Sequence, residues 1–259
     1  MDLELTGLTT LVTGASRGIG FAIAQAFARE GCHVRMAART AADLETARSK
    51  ILAESQVGIT THALDLSEKG NINALARRCS KVDILVNNAG GITSGHLREI
   101  DEARWRASWE LTVFGYINLT REIYRSMCAR KSGVIVNVIG VAGERLRHDY
   151  IAGGTGNAAL MAFTRNLGGE RVDHQVRVVD VNPGQIETDR LRARLEKRAQ
   201  AELGNKNRWR ELVEDPPLGR LARPEEVANA VLYLSSARAS YISGTIITVD
   251  GGCAVRHGS

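Results

Sequence analysis

The chain has 259 residues but no run of about 18 uninterrupted apolar residues, the length a helix needs to cross a bilayer, so no membrane association is expected. Its start, Met1-Asp2-Leu3-Glu4, lacks the basic opening and apolar run of a secretion signal, which makes the cytoplasm the expected location. Cysteine is scarce and scattered. Cys32, Cys79, Cys128 and Cys253 have no paired spacing, which argues against zinc or any other metal and against a disulfide framework. Internal repeats, low-complexity tracts and linkers are missing as well, so a single domain over residues 1–259 is expected.

What is present suits one substantial core: 44% of the residues are hydrophobic. The net charge of +5 would suit an acidic ligand, but much of the excess falls between Arg190 and Arg210. No recognition-helix motif accompanies it, so nucleic acid is not an expected partner. These charges read as a solvated helix face, or as a segment that pairs with a carboxylate or phosphate.

Short runs rich in Val, Ile and Leu at residues 8–13, 33–37, 59–63, 82–86, 134–138, 176–181 and 245–249 predict strands. Between them, residues 21–30, 41–53, 71–78, 105–130, 158–170 and 224–234 carry helical patterns. Strands apolar on both faces and alternating with helices predict an α/β fold, a doubly wound parallel sheet of about seven strands with helices on both faces. The polar segment at about 187–218, which ends at Asp215-Pro216-Pro217, is a candidate lid.

Where the first strand meets the first helix stands Thr13-Gly14-Ala15-Ser16-Arg17-Gly18-Ile19-Gly20. Glycines at such a turn let the backbone approach a pyrophosphate, and the helix N-terminus stabilises its charge. Asp65-Leu66, Asn87-Asn88-Ala89-Gly90 and Asn182-Pro183-Gly184-Gln185-Ile186-Glu187-Thr188 follow later strands, and Gly219-Arg-Leu-Ala-Arg-Pro-Glu-Glu-Val-Ala through Val249-Asp250-Gly251-Gly252 closes the chain. Over nearly its whole length the chain resembles the short-chain dehydrogenase/reductase family, a Rossmann-type fold.

That resemblance implies a nicotinamide dinucleotide. Gly14, Ser16, Gly18, Ile19 and Gly20 would line its pyrophosphate, Asp65 and Leu66 its adenine, Asn88, Ala89 and Gly90 the adenosine ribose region, and Ile186 with Thr188 the carboxamide. The end of the second strand carries Arg39 in place of an acid, and the glycine loop adds Arg17. Two guanidiniums able to pair with a 2′-phosphate favour NADP(H) over NAD(H). The resemblance also implies a small-molecule substrate and a homodimer or homotetramer built through two long helices.

Family members that reduce carbonyls use a tyrosine acid/base, a lysine four residues later, an upstream serine and an asparagine in the preceding long helix. A phenol with a pKa of about 10 needs the neighbouring ammonium to work near neutrality. Laid on the same pattern, this chain has Gly153, Asn157, Gly140 and Thr112 at those positions, and no lysine occurs between Lys131 and Lys197. Tyr150 and His148 are the replacement candidates for proton transfer. The glycine-rich run Ile151-Ala-Gly-Gly-Thr-Gly-Asn is expected to distort or open the first turn of its helix. Three readings stay open at this level: an oxidoreductase with a non-standard site acting on a small molecule, anionic substrates included; an inert nucleotide-binding protein that senses redox state or binds a partner; and a non-redox isomerase or lyase. Replacing Gly140, Gly153 and Asn157 together by Ser, Tyr and Lys is expected to confer reductase activity.

Overall fold

The computed structural model describes residues 1–213 and 217–255. The central strands of this chain present apolar side chains to both sides, and such strands are stable only when both faces are covered. The elements run β1 (Thr9–Thr13), α1 (Gly18–Arg29), β2 (His33–Ala38), α2 (Ala41–Leu52), β3 (Ile59–Ala63), α3 (Lys69–Arg78) and β4 (Ile84–Asn87). They continue through α4 (Glu102–Trp109), α5 (Gly115–Arg130), β5 (Gly133–Val138), α6 (Ile151–Gly169), α7 (Arg171–His174), β6 (Val176–Pro183), α8 (Asp189–Leu203), α9 (Pro224–Ser235) and β7 (Ile246–Val249). Among the described residues the seven strands form one sheet in the order β3-β2-β1-β4-β5-β6-β7, and every pairing is parallel. The expected doubly wound α/β sheet is the fold.

Neighbouring residues in each strand go to opposite cores. Val12, Val86, Val136 and Val179 pack with α1, α2 and α9. Leu11, Leu85, Ile135 and Val178 pack instead with α3 and α5. At about 1.5–3 kcal/mol for each fully buried aliphatic side chain, this two-sided burial is the main term holding the sheet between its helices. The chain reverses its direction of travel across the sheet between β1 and β4, which leaves a crevice at their carboxyl ends.

Two helical expectations need correction. The predicted helix over residues 105–130 is interrupted by a π-helical turn at Glu110–Phe114, which separates α4 from α5. The glycine-rich run does not open its helix either: α6 is helical from Ile151 onward. Its glycines are accommodated because neighbours crowd them. A Cβ on Gly156 would stand 3.0 Å from Val113 and 3.2 Å from Ile92 and the Trp109 indole nitrogen. Close helix packing thus offsets their poor helix propensity. The segment after β6 is helical as expected and has a small core of its own, with Leu195, Ala199 and Trp209 buried. Asp215 and Pro216 lie outside the described residues. No helix of the described residues is long and apolar enough to cross a membrane.

Beneath α5 and α6 the sheet carries a polar seam. The Asn87 amide donates to Thr120 Oγ1 and to Asn137 Oδ1, both at 2.9 Å, and the Asn137 amide donates to Thr164 Oγ1 at 2.9 Å. Asp180 stands beside Asn137 in register, fully buried, and neither carboxylate oxygen has a hydrogen-bond partner. The nearby Ile139 N–H is committed to the Val181 carbonyl at 3.1 Å. Burial pushes the Asp180 carboxyl up to about 8, with Glu144 adding to the effect and Arg165 opposing it. The unfolded chain sheds this proton above its ordinary value of 3.8 while the folded chain keeps it to about 8, so stability falls through that window as pH rises. Asp180→Asn removes the ionisation. Thermal melts from about pH 4 to about pH 9 are expected to show a flatter stability profile and a higher Tm at the alkaline end than in the parent protein; superimposable profiles would exclude this role.

Candidate functional site

At the β1–α1 turn, Gly14 and Gly18 take positive φ angles of 67° and 56°, the left-handed region that glycine enters without cost. A Cβ on Gly20 would collide with the Gly14 carbonyl and the Asn88 side chain, so the turn closes only on a bare backbone. Arg17, the N-cap of α1, provides no side-chain cap, which leaves the helix's first amides to a ligand or to water. Thr13 ties this turn to the end of β4: its hydroxyl accepts from the Asn88 and Ala89 amides at 2.9 and 3.0 Å and donates to the Val86 carbonyl at 3.3 Å. The Asn88 amide returns a bond to the Thr13 carbonyl at 2.9 Å.

The crevice so formed has a volume of about 540 Å³. The glycine turn contributes Gly14, Ser16, Arg17, Gly18, Ile19 and Gly20; Arg39, Leu66, Asn88, Ala89, Gly90 and Thr188 come from the ends of later strands. Two residues of the expected set, Asp65 and Ile186, are not among those that line the crevice. Asp65 accepts from the Ser67 amide and hydroxyl at 2.9 and 2.7 Å, and Ile186 is buried in the core on the α1 side. Burial raises the Asp65 carboxyl, but the two Ser67 bonds and the charge of Arg39 more than offset it and leave it below its ordinary value. Sequence reasoning missed Thr40 and Asp43 in the crevice wall, although their place at the start of α2 was a usable signal. It also missed Arg190. That side chain comes from the start of α8, donates to the Gly90 carbonyl at 2.8 Å and lies over Gly91.

Thr112, Gly140, Gly153 and Asn157, the four positions singled out from the sequence, lie outside the residues that line the crevice, and Thr112 touches its end at Gly91. Gly140 has φ 125° and ψ 147°, a conformation essentially reserved for glycine. It is clamped on both sides: its amide donates to Asn182 Oδ1 and its carbonyl accepts from the Asn157 side chain, each at 3.1 Å. Thr112 sits in the π-helical turn and accepts from the Gly91 amide at 3.1 Å. The half-buried ring of Tyr150, the residue that precedes α6, fills the space a Cβ on Gly153 would need. Trp105, Trp109 and Tyr150 pack against the same small cluster of Ile92, Ile100 and Ala152. Burial pushes the Tyr150 phenol up, and the charges of Arg190 and Arg194 pull against that rise. His148 is exposed and stacks on His96, with ring centroids 5.1 Å apart, so the two sequence candidates are not equivalent.

The family model described as short chain dehydrogenase matches residues 8–199. The chain belongs to the short-chain dehydrogenase family. Among its relatives in this family, the galactitol 2-dehydrogenase (L-tagatose-forming) of Cereibacter sphaeroides is 34% identical over 97% of each chain. A 3-oxoacyl-(acyl-carrier-protein) reductase of Vibrio harveyi is 32% identical over 96% of this chain and 98% of its own. The L-sorbose reductase of Gluconobacter frateurii, solved with NADPH and L-sorbose, superposes with a TM-score of 0.93 at 31% identity, covering 99% of this chain and 100% of that one.

Against this family frame, the backbone alters the three-residue replacement set out above. A serine at Gly140 enters a conformation that disfavours any side chain, and a tyrosine at Gly153 meets the Tyr150 ring. A double-mutant cycle reads the second contact. Gly153→Ala alone is expected to cost about 1–3 kcal/mol through overpacking. In a Tyr150→Ala background the same change is expected to be neutral or to stabilise by up to about 1 kcal/mol, as alanine does in a helix. Denaturant unfolding of the four proteins measures both, and additive effects would dissolve the assigned contact.

Proposed function

We propose that this short-chain dehydrogenase binds NADP(H) in the β1–β4 crevice and acts as an oxidoreductase on a small molecule, through a reacting end that departs from the family's usual Tyr-Lys arrangement. The cofactor would supply or accept the hydride. The chain's own residues fit such a group: bare glycine backbone and the open amides of α1 suit a pyrophosphate. Arg17 and Arg39 bring two guanidiniums to the part of the wall that also carries Asp43, where a 2′-phosphate can take bidentate bonds that a free hydroxyl cannot. NADPH in the L-sorbose reductase structure, and NADP in a 3-oxoacyl (acyl-carrier-protein) reductase structure from Agrobacterium tumefaciens, support the same choice.

One observation carries the departure from the usual site: the Tyr150 ring stands in the space above Gly153. In this reading Tyr150 takes over hydrogen bonding to the substrate oxygen, protonated at neutral pH because burial raises its phenol. Arg190 and Arg194 stabilise the phenolate that proton transfer would leave, a task the family gives to lysine. Asn157 and Thr112 hold backbone at Gly140 and Gly91 and move no proton. The segment carrying α8 walls the crevice through Thr188 and Arg190, the lid of this reading.

Calorimetry with NADPH and NADH tests the cofactor. NADPH is expected to bind more tightly, and Arg39→Ala to weaken it about 10- to 100-fold with little change for NADH, as loss of a hydrogen bond to a charged group requires. Failure to bind either dinucleotide would end the proposal. On a panel of ketones, aldehydes and polyols, Tyr150→Phe is expected to lower turnover by about 10² or more while His148→Ala leaves it nearly unchanged. Equal effects of the two would remove Tyr150 from this role.

A further inference from the structure

The helix α8 carries Arg190, Arg192, Arg194, Lys197 and Arg198 within Asp189–Leu203, and these charges are not used alike. Arg192 pairs with Glu196 at 2.8 Å and Arg198 with Glu202 at 2.7 Å, each spanning one turn along the helix. Such exposed pairs contribute little and serve solubility. Arg190 turns instead toward the crevice, where it meets the Gly90 carbonyl. Arg194 lies one turn farther on, at the i,i+4 spacing that puts two side chains on one face. Among the described residues it makes no hydrogen bond and no ion pair. Its surroundings are Tyr150, Arg190, Arg147 and Asp149.

Charge is out of balance here. Three guanidiniums lie within electrostatic reach of one carboxylate, and that carboxylate is already held by Arg147 through two hydrogen bonds of 2.9 and 2.7 Å. The protein around the Arg194 guanidinium desolvates it even though the residue as a whole is exposed, and Arg190 and Arg147 add repulsion; together these hold its pKa below the ordinary arginine value. The Tyr150 hydroxyl likewise has no hydrogen-bond partner among the described residues. A fork of N–H donors and a phenolic O–H are therefore both unspent beside the reacting end, in a field that attracts anions.

We infer that this site selects a substrate bearing a carboxylate or phosphate, gripped by the Arg194 guanidinium while the Tyr150 hydroxyl donates to the reacting oxygen beside that group. The inference rests on the reading of the crevice given above, since it places the anion at the end of the crevice marked by Gly91 and Arg190. It accounts for a guanidinium left without a counter-ion on the same helix on which Arg192 and Arg198 are paired. It also distinguishes this protein from relatives named for uncharged polyols.

The test uses phenylglyoxal, which modifies accessible guanidiniums, on the full chain saturated with NADP⁺, with ionic strength held constant by chloride. Inorganic phosphate and acetate are added in separate arms, and modified arginines are located by peptide mass. One arm is expected to slow modification of Arg194 at least about tenfold while Arg192 and Arg198 react as before. Protection by phosphate identifies a phosphoryl group and protection by acetate a carboxylate. Unchanged modification of Arg194 in both arms would overturn the inference. Calorimetry of the protecting anion supplies an independent reading: Arg194→Ala is expected to weaken it at least about tenfold and Arg194→Lys by less, because a point charge keeps the attraction but loses the fork. Equal affinity in all three proteins would overturn it too. Repeating the protection without NADP⁺ in an Arg17→Ala/Arg39→Ala variant separates the two proposals. Protection in that variant, together with a parent protein that binds no dinucleotide, sinks the cofactor reading alone; no protection in it, together with a parent protein that binds NADPH, sinks the anion site alone.

Discussion

The hydroxyl of Thr13 joins the two halves of the crevice. By accepting from the amides that follow β4 while donating to the Val86 carbonyl, it sets the distance between the glycine turn and the Asn88–Gly90 backbone. Both segments are irregular, and irregular backbone next to a cavity needs such partners for its polar groups. Without that clamp the closed turn at Gly20 would have nothing to close against. The first amides of α1 would then no longer face a cavity of fixed width. The two-sided packing of the sheet keeps β1 and β4 adjacent, and the Thr13 bonds convert that adjacency into a defined site.

Around Gly140 and Gly153, constraint falls on the backbone itself. Gly140 is held between Asn182 and Asn157 in a conformation that leaves no room for an L side chain without strain. Tyr150 reaches the space above Gly153 because its own backbone is tethered: it forms a parallel bridge with Gly95, whose amide donates to the Asp149 carbonyl at 2.8 Å. The glycines of α6 and the position of the phenol are thus one feature. A larger residue at 153 and the present place of Tyr150 exclude each other.

The charges of α8 divide along the same line between structure and chemistry. Arg192 and Arg198 find carboxylates one turn away. Arg190 meets the Gly90 carbonyl instead, and Arg194 has Tyr150, Arg190, Arg147 and Asp149 within electrostatic reach. The high formal charge of the whole chain is less informative than the different partners found along α8: carboxylates for Arg192 and Arg198, a backbone carbonyl for Arg190.

Much of the architecture was legible from residue order. Continuous aliphatic runs such as Ile84-Leu85-Val86 report strands buried on both faces, and the spacing of Gly14, Gly18 and Gly20 after β1 reports a phosphate-sized turn, because both are local properties of pattern and backbone freedom. Helix interiors were harder to read. The π-helical turn at Glu110–Phe114 leaves no mark in the apolar periodicity, and the glycine-rich run of α6 reads as weak helix until the residues packed on it are known. The order of residues by itself determined the sheet, the family and the absence of the usual tyrosine–lysine spacing. Tertiary structure alone decided that Arg190 reaches back to Gly90, that Asp65 and Ile186 stand outside the crevice wall, and that Tyr150 covers Gly153. Those outcomes depend on where distant segments meet, and periodicity along one segment carries no information about that.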